Sequence, residues 1–149
     1  MLKFAIVGCG RIAKRHSDLL GESQISGAQL VAVADKQIAR AQVIADAKNV
    51  AAYQDMNEMM AKEKPDVVAV LTESGLHAQH VIELAPYGAH IVVEKPMALT
   101  LEDADKMIET CDRHGVRLCV VKQNRFNVPV VELRKALEAG RFGKLVLLC

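Results

Sequence analysis

The feature that most constrains the fold of this chain is a glycine turn near its N-terminus. An apolar segment leads through Gly8-Cys9-Gly10-Arg11-Ile12-Ala13 into a segment typical of a helix. Gly8 allows a sharp turn, Gly10 allows the main chain to approach a pyrophosphate, and Ala13 allows the helix to pack closely on the strand. The first N–H groups of such a helix bind phosphates, so the pattern predicts a dinucleotide site. The residues predicted to form this part of the site are Gly8, Gly10, Arg11 and Ile12.

Composition and charge narrow the class of protein. The 149 residues are enough for one domain with a substantial core, and 51% hydrophobic with 25% charged residues is typical of a globular protein. Lys and Arg total 19 and Asp and Glu total 18, so the charge balance gives no reason to propose a nucleic-acid partner. No apolar run is long enough to span a bilayer, and the N-terminal one is typical of a strand rather than a leader. We expect a cytoplasmic protein without a membrane partner.

Strands and helices alternate along the chain after the first helix. Several strands are almost continuously apolar, as expected where helices cover both faces of a sheet. This alternation predicts an α/β fold with a doubly wound parallel sheet and right-handed crossovers. The predicted strands span 2–7, 28–34, 50–53, 66–71, 90–93, 117–121 and 144–149, and the predicted helices span 14–20, 36–48, 55–63, a stretch around 81–85, 100–115 and 127–140.

Two of these helices have apolar faces that predict how they pack. The inner face of the helix that begins at Thr100 is predicted to comprise Leu101, Ala104, Ile108 and Cys111. The buried face of the helix over 127–140 is predicted to comprise Val130, Leu133 and Leu137.

Asp35 follows the second strand, where a dinucleotide fold places an acid that binds the adenosine ribose hydroxyls. Its distance from the glycines is somewhat longer than usual, because a polar turn precedes the second strand. A carboxylate there repels a 2′-phosphate, which favours NAD over NADP, although Lys36 and Arg40 are close enough in sequence to reach such a phosphate. An N-cap for the next helix is an alternative role that is compatible with ribose binding.

The carboxyl ends of parallel strands lie at one edge of the sheet, where ligands bind. The ends of the fourth, fifth and sixth strands are Thr72–Ser74, Glu94-Lys95 and 122–125. We expect these ends to lie beside the nicotinamide half of the cofactor. The residues predicted to contact the cofactor there are Thr72, Ser74, His77, Glu94, Lys95 and Gln123.

Lys95 is the predicted catalytic residue. Pro96 ends the strand and restricts the backbone next to Lys95, which holds an ammonium at the edge of the sheet. A lysine in this position can bind a substrate hydroxyl, stabilise a developing alkoxide and accept a proton. Glu94 is predicted to hold either Lys95 or a ribose hydroxyl. A surface lysine beside a turn is the alternative.

The histidines and cysteines do not predict a metal site. His77 and His80 are three residues apart on one helix, but neither a cysteine nor a paired acid lies near them in sequence. His77 is expected to contact the cofactor ribose, whereas His16 is expected to pack within the first helix. The cysteines lack a C-x-x-C spacing and are expected to be reduced thiols that fill space. They are Cys9, Cys111, Cys119 and Cys149.

These residues resemble the Gfo/Idh/MocA family, the glucose-fructose oxidoreductase and inositol dehydrogenase group. The resemblance rests on the glycine turn with His16, on Asp35, on Glu94-Lys95-Pro96, and on Asn124-Arg125-Phe126 followed by Pro129, Gly140 and Gly143. It implies a Rossmann fold and NAD(P)-dependent oxidation or reduction of a sugar or polyol carbon, with Lys95 in the active site. The segment 121–127 is similar to the branch that oxidises C3 of UDP-linked N-acetylamino sugar uronates for lipopolysaccharide biosynthesis.

The resemblance has two departures. Many members have Pro-Asn after the fourth-strand Thr, where this chain has Glu73-Ser74, so contacts to the nicotinamide ribose are expected to differ. The family also has a second domain that shapes the substrate pocket and supplies a D-x-x-x-H pattern. We expect residues 1–122 to form the dinucleotide-binding domain, and 123–149 to form a linker helix and the first strand of a truncated substrate domain. Such a fragment is expected to be inactive alone, and the full-length protein is expected to be a homo-oligomer.

Two other functions are compatible with the pattern. A dinucleotide-binding or redox-sensing module without catalysis would use the same turn, with Lys95 incidental. A methyltransferase would use the turn and the acid to bind S-adenosylmethionine, but Glu94-Lys95-Pro96 has no evident role in that chemistry.

Overall fold

The computed structural model describes residues 1–22 and 24–144. Within these ranges the strands are β1 Leu2–Val7, β2 Ala28–Ala34, β3 Ala51–Tyr53, β4 Val67–Val70, β5 His90–Val93 and β6 Leu118–Val120. The α-helices are α1 Arg11–Gly21, α2 Ile38–Lys48, α3 Met56–Glu63, α4 His77–Leu84, α5 Leu101–Arg113 and α6 Val128–Glu138. Short 3-10 helices span Ser74–Leu76, Ala85–Tyr87 and Gln123–Phe126. No helix in the described ranges is long and apolar enough to cross a membrane.

All pairings in the sheet are parallel, and the order of the strands is β3-β2-β1-β4-β5-β6. The order reverses between β1 and β4, which is the point where doubly wound sheets bind their ligands. The predicted α/β fold with a parallel, doubly wound sheet is therefore confirmed.

The core lies on both faces of the sheet because β1 alternates its side chains between them. Ala5 and Val7 enter one apolar cluster with α3, α4 and α5, while Ile6 enters a second cluster with α1 and α2. The three side chains are at most 4% exposed. The two layers of helices explain why the strands have nearly continuous apolar sequences.

The predicted inner face of α5 is partly wrong. Thr100 caps the helix as expected, since its side chain accepts a hydrogen bond from the Asp103 N–H. The buried side chains are Met107 and Cys111, whereas Leu101 is 86% exposed and Ile108 is exposed. Helical spacing allows either Met107 or Ile108 to face the sheet, and the more flexible methionine fills that space.

The helix α6 does not have the predicted buried face. None of its residues is buried against the rest of the described chain, and Val130 is exposed. Leu133 and Leu137 are half-buried. The helix packs mainly on the preceding 3-10 segment, and no layer of the described residues buries its apolar side. The strand predicted after it spans 144–149, and 145–149 lie outside the described residues.

Candidate functional site

The turn between β1 and α1 has the geometry that its glycines predict. Gly8 has a φ of +92°, and a Cβ there would lie 2.8 Å from the Thr72 backbone nitrogen, so a larger residue does not fit. A Cβ on Gly10 would meet nothing within 4 Å among the described residues, because Gly10 faces open space. Gly10 is the N-cap of α1, and no described side chain caps the helix. The first N–H groups of α1, including those of Arg11 and Ile12, are therefore available to an anion.

Asp35 is fixed by two main-chain donors at the end of β2. One carboxylate oxygen accepts the Cys9 N–H at 2.8 Å, and the other accepts the Gln37 N–H at 2.8 Å. The carboxylate thus joins the glycine turn to the start of α2. The alternative N-cap role is wrong, because the N-cap of α2 is Gln37.

A cavity of about 620 Å³ opens beside this turn. It is large enough for part of a dinucleotide, since small-molecule sites span about 300–1,000 Å³. Lys36 and Arg40 line the cavity together with Asp35. Both cations therefore lie where they could attract a 2′-phosphate that the Asp35 carboxylate would repel. The lining includes Gly8, Gly10, Asp35, Thr72, Glu73, Leu76 and His80. Glu94 and Lys95 do not line it.

Glu94 and Lys95 lie at the same edge of the sheet, at the end of β5. The Glu94 N–H donates to the Val70 carbonyl, which continues the ladder of parallel strands. One oxygen of the Glu94 carboxylate lies 3.0 Å from His16 Nε2, and the other accepts the Lys95 N–H at 3.1 Å. The Lys95 side chain is exposed, and it forms no ion pair within the described ranges. Its main chain is held while its ammonium is free to reach a ligand.

His16 does more than pack within α1. Because a carboxylate only accepts hydrogen bonds, the His16 Nε2 must carry the proton that it shares with Glu94. The two side chains are 20% and 12% exposed. The burial of His16 agrees with the predicted packing role, and the contact with Glu94 in addition joins α1 to the end of β5.

His77 is buried at 1% exposure, with both ring nitrogens beside main-chain carbonyl oxygens. Its Nδ1 lies 2.8 Å from the Pro96 oxygen, and its Nε2 lies 3.0 Å from the Thr72 oxygen. The ribose contact predicted for His77 stays a prediction, and in this structure both ring nitrogens face main-chain carbonyls. It joins the end of β4 to the segment that follows Lys95.

Comparison with known proteins identifies the family. Residues 2–122 match the family model described as "Oxidoreductase family, NAD-binding Rossmann fold". The chain belongs to the Gfo/Idh/MocA family. This confirms the resemblance predicted from the sequence and NAD as the cofactor.

Individual Gfo/Idh/MocA members are similar over almost the whole chain. Two curated relatives are a 2,7-anhydro-N-acetylneuraminate hydratase from Mediterraneibacter gnavus, 33% identical over 98% of this chain and 38% of the relative, and a D-glucoside 3-dehydrogenase from Escherichia coli, 32% identical over 97% and 41%. A solved structure is the WlbA dehydrogenase from Bordetella pertussis in complex with NADH and UDP-GlcNAcA. It is 40% identical with a TM-score of 0.90, over 96% of this chain and 43% of that one. The chain thus spans about two fifths of the length of these relatives.

The residues present fit the NAD of the Gfo/Idh/MocA family. Gly10 leaves open space at the start of an uncapped helix, and the Asp35 carboxylate lies at the wall of the adjoining cavity. The helix N–H groups suit a pyrophosphate, and a carboxylate suits ribose hydroxyls. The match to an NAD-binding family also contradicts the methyltransferase alternative.

His80 is a residue of this site that sequence reasoning missed. Its Nδ1 lies 2.9 Å from the Thr72 hydroxyl, and the ring lines the cavity at 4% exposure. Burial lowers the pKa of His80 below its ordinary value, and the nearby Lys36 cation adds to the shift. The signal in the sequence was its spacing from His77, which places both rings on one side of α4.

The remaining predicted residues lie at the same edge of the sheet but outside the cavity. Ser74 begins the 3-10 helix after β4, and Gln123 begins the exposed 3-10 helix after β6. Their contacts to a cofactor stay predictions. Across the part of the chain that the structure describes, no group of three or more His, Cys, Asp or Glu residues is placed to hold a metal ion.

The cysteines differ in environment. Burial, together with the neighbouring Asp35 carboxylate, raises the pKa of the Cys9 thiol to about 12. Cys111 is also buried, and burial raises its pKa. Cys119 is exposed on the edge strand β6, so its predicted space-filling role is wrong. Cys149 lies outside the described residues.

Proposed function

We propose that this chain is the cofactor-binding part of an NAD-dependent sugar dehydrogenase, with Lys95 as the catalytic residue. The observation that carries the proposal is the placement of Lys95. It lies at the carboxyl edge of the sheet, on the β5 end beyond the reversal of strand order, with its main chain held by a buried glutamate and its ammonium free. In a doubly wound sheet this edge is where the nicotinamide and the substrate meet.

The chemistry follows from the positions of these groups. When bound, NAD supplies the acceptor for a hydride. In its neutral amine form Lys95 Nζ accepts a hydrogen bond from the substrate hydroxyl and takes its proton, becoming an ammonium, while the carbon loses its hydride and a carbonyl forms. In the reverse direction the same nitrogen returns the proton. Lys95 thereby stabilises the charge that develops on the oxygen.

The proposed substrate is a sugar or nucleotide sugar, and the specific candidate is C3 of a UDP-linked N-acetylamino sugar uronate. The segment 121–127 and the 40% identity to the WlbA dehydrogenase support the candidate. We expect a second domain to shape the substrate pocket, because the chain spans about two fifths of its relatives. We also propose NAD in preference to NADP, since Asp35 is held against the cavity wall.

A dinucleotide-binding or redox-sensing module without catalysis is the second candidate. The position of Lys95 outside the cavity that Asp35 lines is the observation that favours it. A sensor that used Cys9 is disfavoured, because a thiol with a pKa of about 12 stays protonated and unreactive at neutral pH.

The test uses the full-length protein with NAD and a panel of UDP-GlcNAcA, myo-inositol and methyl glucosides. We expect NADH absorbance to rise with one class of substrate, and UDP-GlcNAcA is the first to try. Binding of NADH without turnover of any sugar would favour the module.

A further inference from the structure

The residues on either side of Lys95 are each held by a histidine from a different helix. Glu94 precedes Lys95 and contacts His16 on α1. Pro96 follows Lys95, and its carbonyl oxygen contacts His77 on α4. Lys95 itself has no such contact through its side chain within the residues that the structure describes.

The first anchor connects Lys95 to α1, the helix that follows the dinucleotide turn. The His16 side chain reaches Glu94 Oε1 at 3.0 Å, and Glu94 Oε2 accepts the Lys95 N–H at 3.1 Å. Two hydrogen bonds thus link the His16 ring, the Glu94 carboxylate and the Lys95 N–H, and the side chains of His16 and Glu94 are mostly buried. Such bonds are stronger in a low-dielectric interior than in water. A shift of α1 therefore moves Glu94 and the main chain of Lys95.

The second anchor connects the other side of Lys95 to the turn itself. His77 lies 2.8 Å from the Pro96 oxygen and 3.0 Å from the Thr72 oxygen. A ring with both nitrogens protonated donates to both carbonyls, and a neutral ring donates to one of them. Thr72 packs directly on Gly8, where a Cβ would come within 2.8 Å. The second anchor thus ends at the glycine turn, and the first ends at the helix that follows it.

We propose that His16 and His77 are positioning residues that set the place of Lys95 relative to the dinucleotide turn. The inference rests on the proposed function, in which Lys95 acts on the substrate. Neither histidine touches the reacting atoms. Each acts through the main chain of Glu94-Lys95-Pro96, and a misplacement of about 1 Å can cost ~100-fold in rate.

The principal variants are His16→Leu and His16→Gln. Leucine fills the space of the ring but has no hydrogen-bond donor for Glu94, whereas glutamine keeps an N–H donor. In the full-length enzyme with NAD and UDP-GlcNAcA, we expect His16→Leu to lower kcat ~10- to 100-fold. We expect the Kd of NADH to change less than about threefold, because the turn and Asp35 are intact. His16→Gln is expected to recover part of the loss. His114→Ala, at an exposed histidine that ends α5, is the matched control and is expected to have no effect.

A double-mutant cycle separates positioning from folding. In the Lys95→Ala background, His16→Leu is expected to cause no further loss, since the group that it positions is absent. An equal loss in both backgrounds would contradict the inference. The His77→Leu variant removes the donor that lies beside the Pro96 and Thr72 carbonyls and can fail to fold, so His77→Gln is the variant to assay. We expect it to behave as His16→Gln does.

A readout independent of turnover completes the test. With lysine-selective ¹⁵N labelling of the full-length protein, the amide signal of Lys95 is expected to shift in His16→Leu and to stay in place in His114→Ala. An unchanged Lys95 signal would overturn the inference even if Lys95 proves catalytic. A shifted signal together with full turnover by Lys95→Ala would instead overturn the proposed function and leave the anchoring contacts standing.

Discussion

Asp35 and Lys95 lie at the same edge of the sheet, yet the side chain of Asp35 is fixed by hydrogen bonds and that of Lys95 is exposed. Both oxygens of Asp35 accept main-chain hydrogen bonds, and the residue lines a cavity of about 620 Å³. Among the residues that the structure describes, Lys95 is held through its main chain alone, and its side chain lies exposed outside that cavity. In the proposed site, the half that would bind the adenosine is therefore preformed, whereas the half that would hold the reaction is oriented but open. Binding and catalysis are expected to respond separately to mutation.

Lys95→Ala is expected to give the largest change in kcat. It also distinguishes the two halves of the site, because it is expected to change catalysis without changing NADH binding. General acid–base groups contribute about 10²- to 10⁴-fold, so kcat of the full-length enzyme is expected to fall ~1,000-fold. The Kd for NADH is expected to stay close to that of the wild type, because Lys95 lies outside the cavity. Steady-state rates and calorimetry measure the two quantities. If Lys95→Ala lost both NADH binding and turnover, the two halves of the site would not be separable.

Gly8→Ala tests the preformed half. A Cβ at this position combines a φ of +92° with a 2.8 Å contact to the Thr72 backbone nitrogen. We expect the free energy of unfolding to fall by about 3 kcal/mol, and NADH binding to weaken with it. Gly27→Ala is the control, because Gly27 has a φ of +80° but open space around it. Its cost is expected to be about 1 kcal/mol, from backbone strain alone. Equal costs in urea unfolding would contradict the close approach of Thr72.

The smallest expected effect is the pH dependence of stability that comes from the Cys9 thiol. It tests whether a thiol in the preformed half could act as a redox sensor. Its folded pKa of about 12 lies above the ordinary value of 9.0, so the protonated thiol is favoured in the folded state. The resulting stabilisation is complete below pH 9 and is lost as the pH rises towards 12.

Alkylation with iodoacetamide, followed by peptide mass spectrometry, measures the state of this thiol. At pH 8 we expect modification of the exposed Cys119 well before Cys9. Faster modification of Cys9 would indicate a reactive thiolate and support the sensor.

Much of the fold could be predicted because local patterns determine it. The glycine turn and the apolar runs of β1, β2 and β5 give strand bounds that agree with the structure. The bounds of β6 and the inner face of α5 were less certain from sequence, since a short edge strand and a choice between Met107 and Ile108 depend on tertiary packing.

The site was less predictable than the fold because its key contacts join distant segments. His16 and Glu94 are 78 residues apart, and no local pattern reports their contact. The same applies to the ring of His77, whose partners are main-chain oxygens that any sequence would supply. Strand ends predict which residues gather at an edge, but not which of them point into the cavity.

The measurement that tests the central claim most directly is calorimetric titration of this chain with NADH and NADPH in parallel, for the wild type and for Asp35→Ser. The account predicts that NADH binds the wild type at least about tenfold more tightly than NADPH, and that Asp35→Ser removes this preference. Binding of NADPH as tight as that of NADH by the wild type, or binding of neither, would contradict a preformed NAD site built from the glycine turn and Asp35.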